Sequence, residues 1–351
     1  MNRARLPRAV DTAWITVTAV WLIWVLLASA LNGRPVRLDS VYVVAPLVLV
    51  AGVLLGRVAA KSDADPPAPA PRPLWLDASL LFLLVALLPG VGLRLAPGPP
   101  PLGYPNANSA AAIQVMVLIA LVLLGAHHDR WSRTLYTVAL AASAFAVVHH
   151  GSQAGILVAI PVALAVVVML VRPSRRSWWA VALGVSTLVG AVYGFLRLAT
   201  ASAWPDLAVR ALSRVRQDLW TTALALWSRS PVIGSGPGSF AEANPYAVDA
   251  DLVSAHSVAL QVAAELGLVG VVILILLIVL GYLVGVRISA PHGVLASAAW
   301  TALWVHSLMD HLLDHPGMAL VAGLVLGWAG SSAHKIRDSE QLDVAQRETP
   351  G

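Results

Sequence analysis

The sequence predicts an all-α, polytopic transmembrane helical bundle of about ten spans with one large extracytoplasmic loop that carries an amphipathic helix. Two observations lead there. The 351 residues are 58% hydrophobic and 12% charged, well below the quarter or so of charged residues in soluble domains. Apolar runs of membrane-spanning length also recur from end to end. Those runs are continuous, whereas a membrane β-barrel needs alternating polarity. Helices satisfy their backbone groups internally, as lipid requires.

The predicted spans are 12–32, 39–59, 74–95, 109–126, 133–149, 153–172, 177–197, 256–286, 292–311 and 317–333. The first follows Arg3, Arg5 and Arg8 but has no small-residue cleavage signal, so it is expected to remain as an anchor. His149-His150-Gly151-Ser152 separates the fifth and sixth, which predicts a tight hairpin or a broken helix. The Pro-rich stretch 65–73 is a linker between spans, so residues 1–351 read as a single integral membrane domain containing the loop 198–255.

Lysine and arginine divide fifteen to eight between the two faces, which places both termini in the cytoplasm and the loop outside. Five of the eight outer cations (Arg197, Arg210, Arg214, Arg216 and Arg229) lie in or beside that loop. Orientation alone does not require them, and they suit an anionic partner. The chain has no cysteine, which excludes disulfides, thiolate metal sites and cysteine nucleophiles. No phosphate-binding loop or dinucleotide fingerprint is present, so no nucleotide-driven step, cofactor or nucleic-acid partner is expected. Only two residues are lysine, and the Ala-, Gly-, Pro- and Arg-rich usage reads as the codon bias of a GC-rich bacterium.

Within the loop, Leu212, Val215, Leu219, Ala223, Leu226 and Trp227 recur at helical spacing. Arg216 and Trp220 lie one turn apart on that helix and share a face. Arg216 suits the gripping of a phosphate by its planar donor fork, with Trp220 against lipid or sugar. Simple interfacial snorkelling accounts for the same pair. Pro231 stops the helix, and Gly234, Gly236 and Gly238 permit a turn that brings backbone close to a ligand.

Ser254 is expected to cap the next helix, placing His256 in its first turn, where the helix dipole favours a neutral imidazole. A neutral imidazole suits a general base, and an interfacial, hydrated histidine fits the same position. Glu265 lies inside the span on the opposite helical face, where hydrogen bonding within the bundle is expected. His306, Asp310 and Asp314 fall at successive i+4 positions, as do His311 and His315, a spacing that can supply metal ligands on one helix. Pro316 and the outer membrane boundary favour plain polar residues there, and no metal site is assigned.

The residues from Arg216 to Gly270 resemble the O-antigen ligase and polymerase family of bacterial membrane glycosyltransferases. The resemblance rests on Arg216 with Trp220, on Pro231-Val-Ile-Gly-Ser-Gly-Pro-Gly-Ser-Phe240, and on His256-Ser with Glu265-Leu-Gly267 and Gly270 following. Gly103-Tyr-Pro-Asn-Ala-Asn108 and His306 to Asp310 resemble the family more weakly.

The resemblance implies a multi-pass protein of the bacterial inner (plasma) membrane that moves a glycan from undecaprenyl diphosphate to an acceptor hydroxyl. The acceptor would be a glycan, lipid or protein. By resemblance, His256 activates it, Arg216 holds the diphosphate, and no metal is needed. Family members often carry Ser-Arg-Gly at the start of a span, where this chain has Ser152-Gln153-Ala154. Gln153 donates hydrogen bonds without charge, so either another cation such as Arg94, Arg197, Arg210 or Arg214 substitutes, or the donor differs, or activity is weak. The alternative is a transporter or flippase of lipid-linked oligosaccharide, which should place polar residues near the bilayer midplane, often in a repeat. The outer polar cluster and the lack of a clear internal repeat favour the enzyme.

Overall fold

A computed structural model describes residues 6–35, 37–62, 105–125, 130–172, 178–249, 252–288 and 290–347. The expected span 74–95 and Arg94 lie outside them. Every regular element among the described residues is helical. In chain order these are α1 (Leu6–Leu31), α2 (Val41–Ser62), α3 (Pro105–Gly125), α4 (Arg130–His149), α5 (Gln153–Val171) and α6 (Trp178–Ala199). The long loop follows with α7 (Asp206–Leu212), α8 (Arg214–Arg229) and α9 (Ser239–Ala243). The chain then returns through α10 (Val258–Arg287), α11 (Ala290–Ser307), a 3-10 turn (Leu312–Asp314) and α12 (Pro316–Arg347).

Seven helices, α1 to α6 and α10, are long and apolar enough to cross a membrane. The expected spans 292–311 and 317–333 are the helices α11 and α12, but α11 stops at Ser307. The hairpin at 150–152 forms as expected. Gly151 turns with φ +69°, and the Ser152 hydroxyl accepts from Gly155 N at 2.9 Å to start α5.

The bundle is arranged around α3. Its apolar residues occupy the whole circumference, and 89% of its core window is buried, against 11% for the peripheral α6. Alanines at 107, 110, 111 and 112 let neighbours approach it, and its one mid-helix amide, Gln114, donates to Ala299 O at 3.0 Å. The most extensive helix contact joins α2 to α12. Gly52 and Gly56 on α2 face Gly323 and Gly327 on α12, and a Cβ at any of the four would strike the opposing backbone. Helices gain little from burying leucine against leucine in lipid, so such backbone contact is a main source of association.

α10 is not one continuous helix. Gly267 breaks it (φ +65°, ψ −166°), and the turn 231–238 is stitched into the gap. Ser235 N and Gly236 N donate to Ala264 O and Glu265 O, both at 2.9 Å, and Trp24 Nε1 reaches Leu266 O at 2.9 Å. On the far side, Leu268 N and Val269 N donate to Pro231 O and Val232 O at 2.9 and 3.3 Å. Backbone groups released by the break thus find partners in the loop or on α1. The glycine turn takes positive φ at Gly234, Gly236 and Gly238 as expected, and at Gly234 the close approach it permits is to Glu265 and Leu266 of α10.

Candidate active site at one end of the bundle

The loop helix α8 lies against α10 with Leu219, Trp220, Ala223 and Leu226 buried, the face the spacing predicted. Trp220 is 1% exposed and wedged edge-on between Phe195 and Trp204, with ring centroids 4.7 and 5.0 Å away. It presents no face to a ligand, so the expected stacking on lipid or sugar is replaced by packing that seats α8. Arg216, one turn earlier, keeps its guanidinium at the margin of this cluster, 18% exposed.

Glu265 is buried, and its carboxylate accepts from Gly238 N and Phe240 N at 2.9 Å each, and from Gln261 Nε2 at 3.0 Å. It ties the start of α9 to α10, the bonding within the bundle expected of it. On its other side, Arg34 grips Glu242 through two 2.7 Å hydrogen bonds and donates to Ser235 O at 3.0 Å. The loop is therefore held from both sides.

His256 does not sit in the first turn of α10. Ser257, not Ser254, caps the helix, its hydroxyl accepting from Leu260 N at 3.4 Å. His256 precedes the cap in a left-handed conformation (φ +47°), uncommon for a residue with a Cβ, which turns its imidazole away from the helix axis. Its orientation comes from Asp310. His256 Nδ1 lies 3.3 Å from Asp310 Oδ1, with the two side chains 3% and 2% exposed.

Asp310 is the hub. The amide of Asn106, at the start of α3, donates to Oδ2. His311 donates its backbone N–H to Oδ1 at 2.9 Å and holds its Nδ1 at ion-pair distance, 2.9 Å from the same oxygen, and Arg216 approaches Oδ2 at 3.7 Å. Burial pushes the Asp310 pKa up, but the hydrogen bonds from His256 and His311, with the charges of His311 and Arg216, hold it well below the usual carboxylate range. A buried carboxylate is tolerable only with such partners. His311 stands edge-on to His256 at 4.5 Å. Burial lowers its pKa, yet its bonds to Asp310 outweigh that, and the net shift is upward. His306 is wholly buried, and neither ring nitrogen has a hydrogen-bond partner among the described residues.

The helical i+4 ladder expected for His306, Asp310 and Asp314 is not formed. α11 ends at Ser307, Asp310 lies in the following turn, and Asp314 closes a 3-10 turn, so these residues do not share a helix face. His315 likewise follows the 3-10 turn, where burial pushes it down to about 4. A different set converges instead. Ligand atoms of His256, Asp310 and His311 lie within 4.8 Å of one another, two imidazoles and a carboxylate of the kind that could hold a metal such as zinc.

Of the other expected residues, Arg210 and Arg214 are exposed on α7 and α8, on either side of Ser213. Gln153 is exposed at the first position of α5. The structure thus brings together His256 and Arg216 through Asp310, and places Arg210, Arg214 and Gln153 on the surface. Sequence reading missed Asp310 as the partner of His256. Both signals were present, the His306–Asp310 pair and the asparagine motif that supplies Asn106, but 54 residues separate His256 from Asp310.

A His256 that donates Nδ1–H to Asp310 carries its lone pair on Nε2, the tautomer that accepts a proton. A base, a carboxylate that fixes it and an arginine about one ion-pair length away can take a proton from a hydroxyl next to an anionic group.

Residues 138–275 match the O-antigen ligase family, which bears out the resemblance read from the sequence. The matched segment runs from α4 through the long loop to α10, so it contains Arg216, the glycine turn, His256 and Glu265. Among curated proteins, none matches the chain. The family match and the seven apolar helices support a multi-pass membrane glycosyltransferase of the O-antigen ligase or polymerase type, with a lipid-linked glycan donor and an acceptor in the membrane.

Proposed function

We propose that the protein transfers a glycan from undecaprenyl diphosphate to an acceptor hydroxyl at the extracytoplasmic face of the bacterial inner membrane, with both termini in the cytoplasm. The observation that carries this reading is the buried His256–Asp310 pair with Arg216 at 3.7 Å from the same carboxylate. His256 Nε2 takes the acceptor proton, and the acceptor oxygen forms a bond to the anomeric carbon. The bond from that carbon to the diphosphate breaks, and the lipid diphosphate leaves with the electron pair. Arg216 stabilises the charge building on that leaving group. Asp310 stabilises the imidazolium once it forms and is a positioning residue, because it acts through His256.

The reaction on this reading needs no metal. Arg216 supplies the positive charge, and His256 must keep Nε2 free to act as a base. Gln153, Arg210 and Arg214, all at the surface, are assigned to the headgroup and outer sugars of the donor. Trp220 supports Arg216 from below.

The test is transfer from lipid-linked glycan by purified protein in lipid with a chelator present. Wild type should turn over, and His256→Ala should lose about 10²–10⁴ in kcat with donor binding kept. Normal transfer by His256→Ala would remove the general base. Loss of wild-type activity on chelation, restored by zinc, would convert the three-ligand cluster into a metal centre.

A further inference from the structure

Between Ser254 and Asp314 lies a cavity of about 250 Å³ that the chemistry described above leaves unused. Its wall is assembled from distant segments: the end of α1, Pro35 and Arg37, residues 39–42, the glycine turn at Pro237 and Gly238, Val253 with Ser254, and Asp314. Ser29 and Ser254, which line it, are only 1% and 5% exposed, and neither hydroxyl has a hydrogen-bond partner among the described residues. Buried hydroxyls without partners are uncommon, and two on one cavity point to a guest that supplies the bonds.

Asp314 adds a carboxylate with no hydrogen bond or ion pair of its own among the described residues. Its side chain keeps open surface although protein crowds it, the situation of a group that faces a cavity. That crowding pushes its pKa up. Arg37 and Asp39, paired at 2.9 Å and both well exposed, add to the polar lining, as do Ser40, Tyr42, Gln261 and Glu265.

The chemistry of this lining selects its occupant. A diphosphate would meet the Asp314 carboxylate and is disfavoured. A lipid chain would leave both hydroxyls unpartnered. A sugar ring carries hydroxyls that donate to a carboxylate and both donate to and accept from serine. The volume lies below the roughly 300–1,000 Å³ of pockets for drug-sized ligands and suits one ring. The cavity also lies close in the chain to the base and its partner, since Ser254 is two residues from His256 and Asp314 four from Asp310.

We propose that this cavity is the acceptor subsite, where Asp314, Ser29 and Ser254 hold the sugar ring whose hydroxyl is glycosylated. Asp314 takes hydrogen bonds from that ring and so determines which hydroxyl faces His256. The assignment rests on the glycosyl-transfer reading for its role, but sugar binding is measurable without transfer.

The probe is a panel of methyl glycosides of glucose, galactose, mannose, rhamnose and N-acetylglucosamine, with saturation-transfer NMR on the full chain in lipid nanodiscs and no donor. At least one should bind wild type. Asp314→Asn, which keeps the side-chain shape, and Ser254→Leu, which fills the cavity, should each weaken it by about tenfold, the scale of one hydrogen bond to a charged group. Melting temperatures check that both variants fold. Arg216→Ala, on the donor side, should leave binding intact.

With the bound glycoside as acceptor and lipid-linked glycan as donor, Asp314→Asn should raise the acceptor KM about tenfold and leave the donor KM unchanged. Absence of binding to wild type, or equal binding by both cavity variants, overturns the proposal. Asp314-dependent binding without any transfer would keep the sugar site and count against the glycosyltransferase reading.

Discussion

At the scale of the residue, Asp310 holds more of the site together than the histidine it orients. It meets Asn106, Arg216, His256 and His311, which come from α3, α8, the start of α10 and its own turn. Asp310→Asn keeps the shape but places an amide where His256 Nδ1–H needs an acceptor. The expected result is a kcat loss of about 10²–10⁴ with the fold intact. Nitrogen-15 NMR of His256 should show the tautomer shift. Unchanged tautomer and rate would mean that Asp310 only packs.

His311 sets a pH dependence. Its folded pKa is raised above the ordinary value, so its ion pair with Asp310 contributes stability in full below about pH 6.5. That contribution fades as pH rises through the raised value. The melting temperature of wild type should therefore fall as pH climbs from about 6.5 toward 9, and His311→Gln should flatten the curve. Asp310 acts with the opposite sign. Its depressed pKa contributes stability above its unfolded value and loses it only in strong acid. Trp220 belongs to packing. Trp220→Ala should cost about 3–5 kcal/mol in thermal unfolding, so any activity lost with it reports folding before recognition.

At the scale of the element, the strongest dependence is on the four glycines between α2 and α12. Gly327→Leu would push a side chain into the backbone at Val53, with a cost of about 1–3 kcal/mol or more. A lowered melting temperature should follow even though the site is untouched, and an unchanged one would argue against close backbone packing. The amphipathic face of α8 was legible because a period of 3.6 survives in the sequence whatever the helix packs against. The break in α10 was not. Gly267 inside a long apolar run looks like an ordinary membrane glycine, and only the turn 231–238 reveals that the helix yields there. The cap at Ser257 was misplaced by three residues for a local reason. Two serines flank His256, and the left-handed turn that chooses between them is set by Asp310, far along the chain.

At the scale of the whole molecule, fold class was legible because lipid leaves a chain so few ways to satisfy its backbone. Apolar length alone located nine of the ten expected spans as helices, and the tenth lies outside the described residues. The site was legible in its histidine and arginine and illegible in its carboxylate. Residue type and a helix face can be read locally, whereas Asp310 and Asp314 acquire their roles by leaving the helix that their spacing implied.

The seam between the turn 231–236 and the break at Gly267 also limits what evolution or an engineer can exchange. Four backbone bonds cross it, and the Trp24 indole bonds Leu266 O beside it. A loop transplanted without residues 264–269 would leave both halves of α10 with bare amides and carbonyls at membrane depth, each costing several kcal/mol. The transferable unit is therefore a loop and a span together. Changes in substrate preference should arise as substitutions around this seam far more readily than as wholesale replacement of the loop.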